Sequence, residues 1–275
     1  IFNTSMYQYG FKKRHSTMQC AFVVNEILQH YKNHGTNVYI ALLDATKAFD
    51  RVEYVSLFRK LLDKDICPIV AQFLLAMYTN QNVRVKWNNS FSDSFTVSNS
   101  VKQGGVMSPL LFTVYLDDLL LNLQNSRNGC YVGRTYCVSF GYADDVILMS
   151  PSLSGLKHQL TICSEYASVF KMSFNPSKSK LIVCPHKHAQ NPPPAVYFMN
   201  RKLDVVPHDK HLGCLVGNIS QQDRIQTGVN DFLTKVNMLR CHFSSLPPNV
   251  TYSLFKSHCM PLYSCVLWDL SNPAI

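Results

Sequence analysis

Val138-Ser139-Phe140-Gly141-Tyr142-Ala143-Asp144-Asp145-Val146-Ile147-Leu148-Met149 consists of two apolar arms folded about a pair of acids. Short apolar runs on either side of a small polar centre read as a β-hairpin, here with arms over 138–142 and 146–149 and with Asp144 and Asp145 at the turn. A second apolar run, Val38-Tyr39-Ile40-Ala41-Leu42-Leu43, reads as a buried strand over 37–43 and ends on Asp44. Two strands that each deliver carboxylates at an end or a turn repel one another unless a cation or a basic partner offsets the charge. Hard divalent ions with oxygen ligands do this, and a pair of them about 4 Å apart clamps the attacking and leaving oxygens of a phosphoryl transfer. Taken alone, an Asp-Asp pair in a hairpin is an ordinary solvated turn, and Asp44 an ordinary cap for the segment after it.

Outward from these strands the chain alternates between helical and extended patterns. Apolar residues at helical spacing (Ala21, Val24, Ile27, Leu28, Tyr31) predict a helix over 18–31 that stops at Asn33-His34-Gly35. Two more helices are expected over 53–64 and 68–79, the second with Pro68 in its first turn, where a missing N–H does no harm. Segments 81–87 and 94–97 alternate like a hairpin around Asn88-Asn89-Ser90. Ser108 is read as the N-cap, and Pro109 as the first-turn proline, of a helix reaching Asn125. A helix over 153–170 follows, then strands over 180–184 and 195–198 separated by the break Asn191-Pro192-Pro193-Pro194. Beyond Gly217 the pattern turns helical again over 221–243 and 250–259, so a boundary is expected near residue 216.

The chain has 275 residues, enough to bury a continuous core without disulfides. Hydrophobic residues make up 47% and charged residues 16%, which excludes global disorder. Lys and Arg number 26 against 17 acids, a net charge of +9 that suits a polyanionic partner such as nucleic acid or an anionic membrane face. No run is apolar for long enough to span a membrane. Asn3, Asn88, Asn218 and Asn249 stand in glycosylation sequons, which with ten cysteines raises the reading of a secreted glycoprotein. Against it, no signal peptide is seen, and the cysteines are scattered singly without zinc or redox spacing, so they are expected as reduced core residues of an intracellular protein. The opening on Ile1 rather than Met is what a piece excised from a longer protein would show.

Three motifs, in order and at the expected spacing, then converge: Leu42-Leu43-Asp44-Ala45-Thr46-Lys47-Ala48-Phe49-Asp50-Arg51-Val52, Ser100-Val101-Lys102-Gln103-Gly104-Gly105-Val106-Met107-Ser108-Pro109-Leu110-Leu111-Phe112, and Phe140-Gly141-Tyr142-Ala143-Asp144-Asp145. Together they resemble the palm motifs of reverse transcriptases, in particular the non-LTR (LINE-type) retrotransposon branch. The likeness extends to Gln8-Tyr9-Gly10-Phe11 through Ser16-Thr17, to Phe174-Asn175-Pro176-Ser177-Lys178, to His211-Leu212-Gly213 and to the closing Leu262-Tyr263 through Leu267-Trp268. The resemblance implies an α+β right-hand polymerase: partial fingers over 1–36, a palm of antiparallel sheet with packing helices over 37–216, and a helical thumb over 217–275. The first fingers strands, the endonuclease and the Cys/His-rich tail of such polyproteins would lie outside these residues.

The same resemblance implies an RNA-directed DNA polymerase that adds dNTPs to a primer 3′-OH by two-metal phosphoryl transfer during retrotransposon replication. Its partners would be an RNA template, a DNA primer and dNTPs, with no membrane, in a ribonucleoprotein of the cytoplasm and nucleus. Asp44, Asp144 and Asp145 would be the catalytic acids and, with the carbonyl of Ala45, would hold two Mg²⁺ ions, for which Mn²⁺ can substitute. Phe49 would lie beneath the sugar of the incoming nucleotide and exclude a 2′-OH; outside the motif it is an ordinary core Phe. Gln103, Gly104 and Gly105 would form the loop against nucleotide and template, and Lys178 would offer a positive charge or a proton to the leaving pyrophosphate, although a lone lysine there also reads as a solvated turn. Lys12, Lys13 and Arg14, with His15, would grip triphosphate or template phosphate, and His211, Leu212 and Gly213 would meet the primer. Asp50, Asp117 and Asp118 are not assigned to metal: Asp50 is expected to pair with a neighbouring Lys or Arg, and the other two lie inside a helix. A catalytically inactive remnant that keeps the fold and the basic groove is the alternative reading, and metal dependence separates the two.

Overall fold

The structure, a computed structural model, describes residues 4–97, 99–185, 195–261 and 263–268. The expected break at 191–194 and Leu262 of the closing motif lie outside the described residues. In chain order the elements begin with α1 (Thr17–Asn33), β1 (Val38–Leu43), a 3₁₀ turn (Phe49–Arg51), α2 (Tyr54–Asp63) and α3 (Pro68–Thr79). The short strands β2 (Asn82–Val83), β3 (Lys86–Trp87), β4 (Ser90–Phe91) and β5 (Phe95–Thr96) precede α4 (Ser108–Asn125). Next come β6 (Cys130–Val132), β7 (Thr135–Cys137), β8 (Ser139–Tyr142), β9 (Asp145–Ser150), α5 (Leu153–Val169) and β10 (Lys180–Cys184). The chain continues through β11 (Tyr197–Phe198), β12 (Arg201–Lys202), β13 (Asp204–Val206), β14 (His208–His211), β15 (Cys214–Gly217), α6 (Gln221–Phe243) and α7 (Pro248–Leu254).

The central sheet has the order β13-β10-β1-β9-β8, antiparallel except for the parallel pair β10 and β13. The strand read from sequence as wholly apolar is its middle strand, covered on both faces, which is why it lacks polar alternation. Period two divides its residues. Val38, Ile40 and Leu42 join Ile147, Met149 and Ile182 under Cys20, Val24, Ile27 and Leu28 of α1. Ala41 and Leu43 join Val146, Leu148 and Leu181 under α2, α4 and α5. In α4, Leu111, Phe112, Leu116, Leu119, Leu120 and Leu123 are all fully buried, and each contributes about 1.5–3 kcal/mol of transfer free energy. α1 starts on a reciprocal cap: the Ser16 hydroxyl accepts from the Gln19 N–H and the Gln19 side chain accepts from the Ser16 N–H.

The structure corrects several expectations. Met107, not Ser108, occupies the N-cap position of α4; Ser108 lies inside the first turn, its N–H donating to the Gly105 carbonyl at 3.2 Å and its hydroxyl buried. The hairpin expected over 81–97 is two short ladders, β2 with β5 and β3 with β4. Asp50 is exposed and joins no ion pair among the described residues. Asp117 pairs with Lys64 at 2.6 Å and accepts the Ser5 N–H, while Asp118 pairs with Lys60, whose buried ammonium also sits 3.8 Å from the Phe170 ring centroid. Both acids are thus engaged in structural ion pairs. Cys20, Cys130, Cys137 and Cys163 are buried as expected, whereas Cys67, Cys241 and Cys265 are exposed. Among the described residues no helix is long and apolar enough to cross a membrane.

Candidate active site

β1 and β9 bring the acids together. Their last registered pair is Leu43 with Val146, and one further step sets Asp44 opposite Asp145. β8 and β9 close on the pair Tyr142 with Asp145, leaving Ala143 and Asp144 as a two-residue turn. Ala143 has φ +58°, and a positive φ at the first central residue alone is the pattern of a type II′ hairpin turn. The three carboxylates are partly buried and feel one another. Burial, then the charges of Asp144 and Asp44, push the Asp145 carboxyl up to about 6. Burial and the Asp44 charge raise Asp144 as well.

Asp44 is also fixed from its other side. Its N–H donates to the Ser179 hydroxyl at 3.3 Å, its carbonyl accepts from the Asn175 N–H at 2.8 Å, and the Thr46 N–H donates to the Ser173 carbonyl at 2.7 Å. These bonds flank the bridge between Ala45 and Phe174, so the Ala45 carbonyl is turned away from the 173–175 segment, to the side on which β9 lies. Lys178 closes the turn that begins at Asn175, its N–H donating to the Asn175 carbonyl at 3.1 Å, and its side chain is exposed.

Phe49 stands on the 3₁₀ turn after Asp44 and stacks on Phe112 of α4, ring centroids 4.5 Å apart at 16°, with Phe11 edge-on at 6.4 Å. The Val101 N–H donates to the Phe49 carbonyl at 2.9 Å, which ties the 100–105 loop to this ring. Within that loop the Gly105 N–H donates to the Lys102 carbonyl, leaving Gln103 and Gly104 as the central residues of a tight turn. Gly104 has φ +83° with open space where a Cβ would stand, so backbone conformation alone calls for glycine.

The outlying candidates divide. Lys13 and Arg14 are exposed, but the Lys12 ammonium donates to the carbonyls of Thr4 at 2.9 Å and Ser5 at 2.6 Å, so it serves the N-terminal loop rather than standing free for phosphate. Leu212 and Gly213 form the tip of the β14–β15 hairpin, with φ +50° and +81°. The His211 ring is buried, its Nε2 without a partner among the described residues, and burial lowers its pKa to about 4; the hairpin tip, not this imidazole, faces outward. Two residues that sequence reasoning leaves without a role join the site in the fold: Ser179, which buttresses Asp44, and Gln8, which reaches Ala143. Gln8 shows in the sequence only as the start of the stretch Gln8-Tyr9-Gly10-Phe11, and Ser179 carries no signal at all.

The donor set around the acids is oxygen only, the chemistry that suits Mg²⁺ or Mn²⁺. Burial, with the repulsion of the neighbouring acids, lifts Asp145, and a bound divalent cation would offset both by favouring the ionised carboxylate. Among the described residues no three His, Cys, Asp or Glu side chains are gathered closely enough to form a ready ligand cluster, so the acids are neighbours rather than a closed cage.

A family model described as reverse transcriptase (RNA-dependent DNA polymerase) matches residues 3–226. The chain is 28% identical over 171 aligned residues to the Retrovirus-related Pol polyprotein from type-2 retrotransposable element R2DM of Drosophila melanogaster, covering 62% of this chain and 16% of that protein. It is 27% identical over 284 aligned positions to the Probable RNA-directed DNA polymerase from transposon X-element of the same organism, covering 98% of this chain and 30% of that protein. Among solved structures, apo telomerase from Candida tropicalis truncated from its C-terminal domain superposes with a TM-score of 0.52 at 11% identity, over 72% of this chain and 39% of that one. That last likeness is one of fold, an α+β polymerase architecture.

Proposed function

Because the chain belongs to the reverse transcriptase (RNA-dependent DNA polymerase) family, we propose that it carries the polymerase centre of a non-LTR retrotransposon protein, joining dNTPs to the 3′-OH of a DNA primer on an RNA template inside an intracellular ribonucleoprotein. The observation that supports this reading is the register of β1, β8 and β9, which converges Asp44, Asp144 and Asp145 at one end of the central sheet. Asp44, Asp144, Asp145 and the Ala45 carbonyl would hold two Mg²⁺ ions, or Mn²⁺ in their stead. Bound there, the ions would polarise the α-phosphate and make the primer hydroxyl a better nucleophile. The chain's own groups position the reactants, which is the larger part of phosphoryl-transfer catalysis. Phe49, held flat on Phe112, would exclude a ribose 2′-OH; Gln103 to Gly105 would present backbone to the nucleotide; Lys178, exposed and pinned beside Asp44, would neutralise the leaving pyrophosphate. In this reading residues 37–216 are the palm, 1–36 a part of the fingers and 217–275 the thumb.

Extension of an oligo(dT) primer on poly(rA) with Mg²⁺ tests it. Asp44→Asn and Asp144→Asn are each expected to abolish extension while leaving melting temperature and primer–template binding near those of the parent, since each removes a metal-binding charge and no core packing. Binding without metal-dependent extension in the parent protein would instead identify an inactive remnant.

A further inference from the structure

Outside the acids, one fully buried polar side chain is aimed at the turn that carries two of them. Gln8 has no exposed surface, and its Oε1 accepts from the Gly10 N–H at 2.8 Å and from the Ala143 N–H at 3.3 Å. The second of these bonds answers a definite need. The β8–β9 ladder ends at the pair Tyr142 with Asp145, so the Ala143 N–H, at the first position of the turn, has no ladder partner. Ala143 is itself buried and held in a left-handed conformation, where a loose turn would relax.

The backbone around Gln8 is fitted to the same place. Residues 7–9 run parallel to β8: the Tyr9 N–H donates to the Gly141 carbonyl at 2.7 Å and the Gly141 N–H donates to the Tyr7 carbonyl at 2.9 Å. A Cβ on Gly10 would stand 2.3 Å from the Ala143 nitrogen, so only a glycine lets this segment lie against the turn. A Cβ on Gly141 would stand 3.2 Å from the Gln8 Nε2. That Nε2 is buried and has no hydrogen-bond partner among the described residues. An apolar side chain of the same length would spare the fold this unpaired donor, so packing alone does not account for an amide here.

We propose that Gln8 is a positioning residue for nucleotidyl transfer: by accepting the Ala143 N–H, with Gly10 packed against the same nitrogen, it fixes the two-residue turn and therefore the places of Asp144 and Asp145. It does not touch substrate. The proposal rests on the polymerase reading above for its catalytic consequence, while the latch itself is a structural statement that can be tested apart from activity.

The experiment compares the 275-residue chain with Gln8→Met, which keeps length without an acceptor, and Gln8→Glu, which keeps an acceptor at the same reach. Amide hydrogen exchange by NMR is read at Ala143, Asp144 and Asp145, alongside melting temperature and single-turnover primer extension. Gln8→Met is expected to speed exchange at Ala143 by about tenfold or more, the scale of leaving a buried N–H unpaired. It should lower the extension rate by up to about 100-fold, the scale of a small misplacement of reacting groups, with dNTP KM and primer–template affinity nearly unchanged. Gln8→Glu should restore the exchange protection. A folded Gln8→Met protein with parental exchange at Ala143 overturns the proposal. Faster exchange with a parental extension rate also overturns it, by showing that the turn's position is not what the latch controls. Should Gln8→Met fail to fold, Gly10→Ala takes its place, because its methyl presses on the Ala143 nitrogen. Faster exchange and slower extension then support the latch, and parental values of both refute it. If no protein extends a primer, the polymerase reading fails, and the exchange comparison still decides whether Gln8 holds the turn.

Discussion

Asp145, partly buried, and His211, buried, are titratable groups whose folded-state pKa values move in opposite senses, and this fixes how stability should depend on pH. The Asp145 carboxyl is raised to about 6 by burial and by its acidic neighbours. An acid with a folded pKa above its unfolded value of about 3.9 binds its proton more tightly when folded, so its contribution to stability falls as pH rises through that window. His211 behaves conversely: burial lowers it to about 4, below an unfolded value of about 6.5, so its contribution is lost as pH falls from about 6.5 toward 4. In metal-free buffer, Asp145→Asn should therefore remove a stabilising trend on acidification, and His211→Gln a destabilising one. Thermal melts of both variants and the parent between pH 4 and pH 8, with EDTA present, check this; superimposable pH profiles for all three would contradict both assignments. Saturating Mg²⁺ is expected to reverse the Asp145 trend, because cation binding favours the ionised carboxylate.

At the scale of elements, the ring proposed to select the sugar is an interface between two of them: Phe49 on the 3₁₀ turn lies flat on Phe112 of α4. Its plane is set by stacking on a residue with no exposed surface. Phe49→Val should raise the use of rNTPs relative to dNTPs by about tenfold or more, since discrimination there is steric and a smaller side chain removes the clash. The ratio of kcat/KM for dTTP and UTP on the same primer–template is the measure, and an unchanged ratio would return Phe49 to the core. The elements that build this arrangement were legible where they are long or strongly patterned: β1 from its unbroken apolar run, α1 from helical spacing, α4 from the proline in its first turn, and the β8–β9 hairpin from its two arms. Strands of two or three residues, such as β12 and β13, are too short to show a period. The parallel pairing of β13 with β10, and of Gln8 with Gly141, joins segments far apart in the chain and leaves no local signature. The same limit applied at the site: Asp44 and Asp144 stand where strands end, whereas Ser179 and the acceptor role of Gln8 exist only once the strands have paired.

Over the whole molecule, part of the positive balance is carried by exposed side chains next to the candidate site residues in sequence. Lys13, Arg14, Lys47, Arg51, Lys102 and Lys178 are exposed, and none joins an ion pair among the described residues. Cations that neutralise phosphates release counterions, so primer–template affinity should fall steeply with salt and vary little with sequence. Converting Lys102 and Lys178 together to Gln should make the slope of log K against log salt shallower by about 1 to 2, at about 0.9 for each DNA phosphate that is no longer neutralised; a slope that stays put would remove both lysines from the nucleic-acid surface. The central place of β1 has a further consequence, for how the chain is made. Its sheet neighbours, β9 and β10, both emerge from the ribosome long after it does. Until then the most apolar strand of the nascent chain has two bare edges, the condition under which strands pair with the wrong partner. α1, synthesised just before β1, and α2, just after it, are the large neighbours available early among the described elements, and they cover its faces rather than its edges. Biogenesis of this protein thus has a vulnerable interval, from the completion of β1 to the completion of β10, in which a chaperone would find its most exposed client surface.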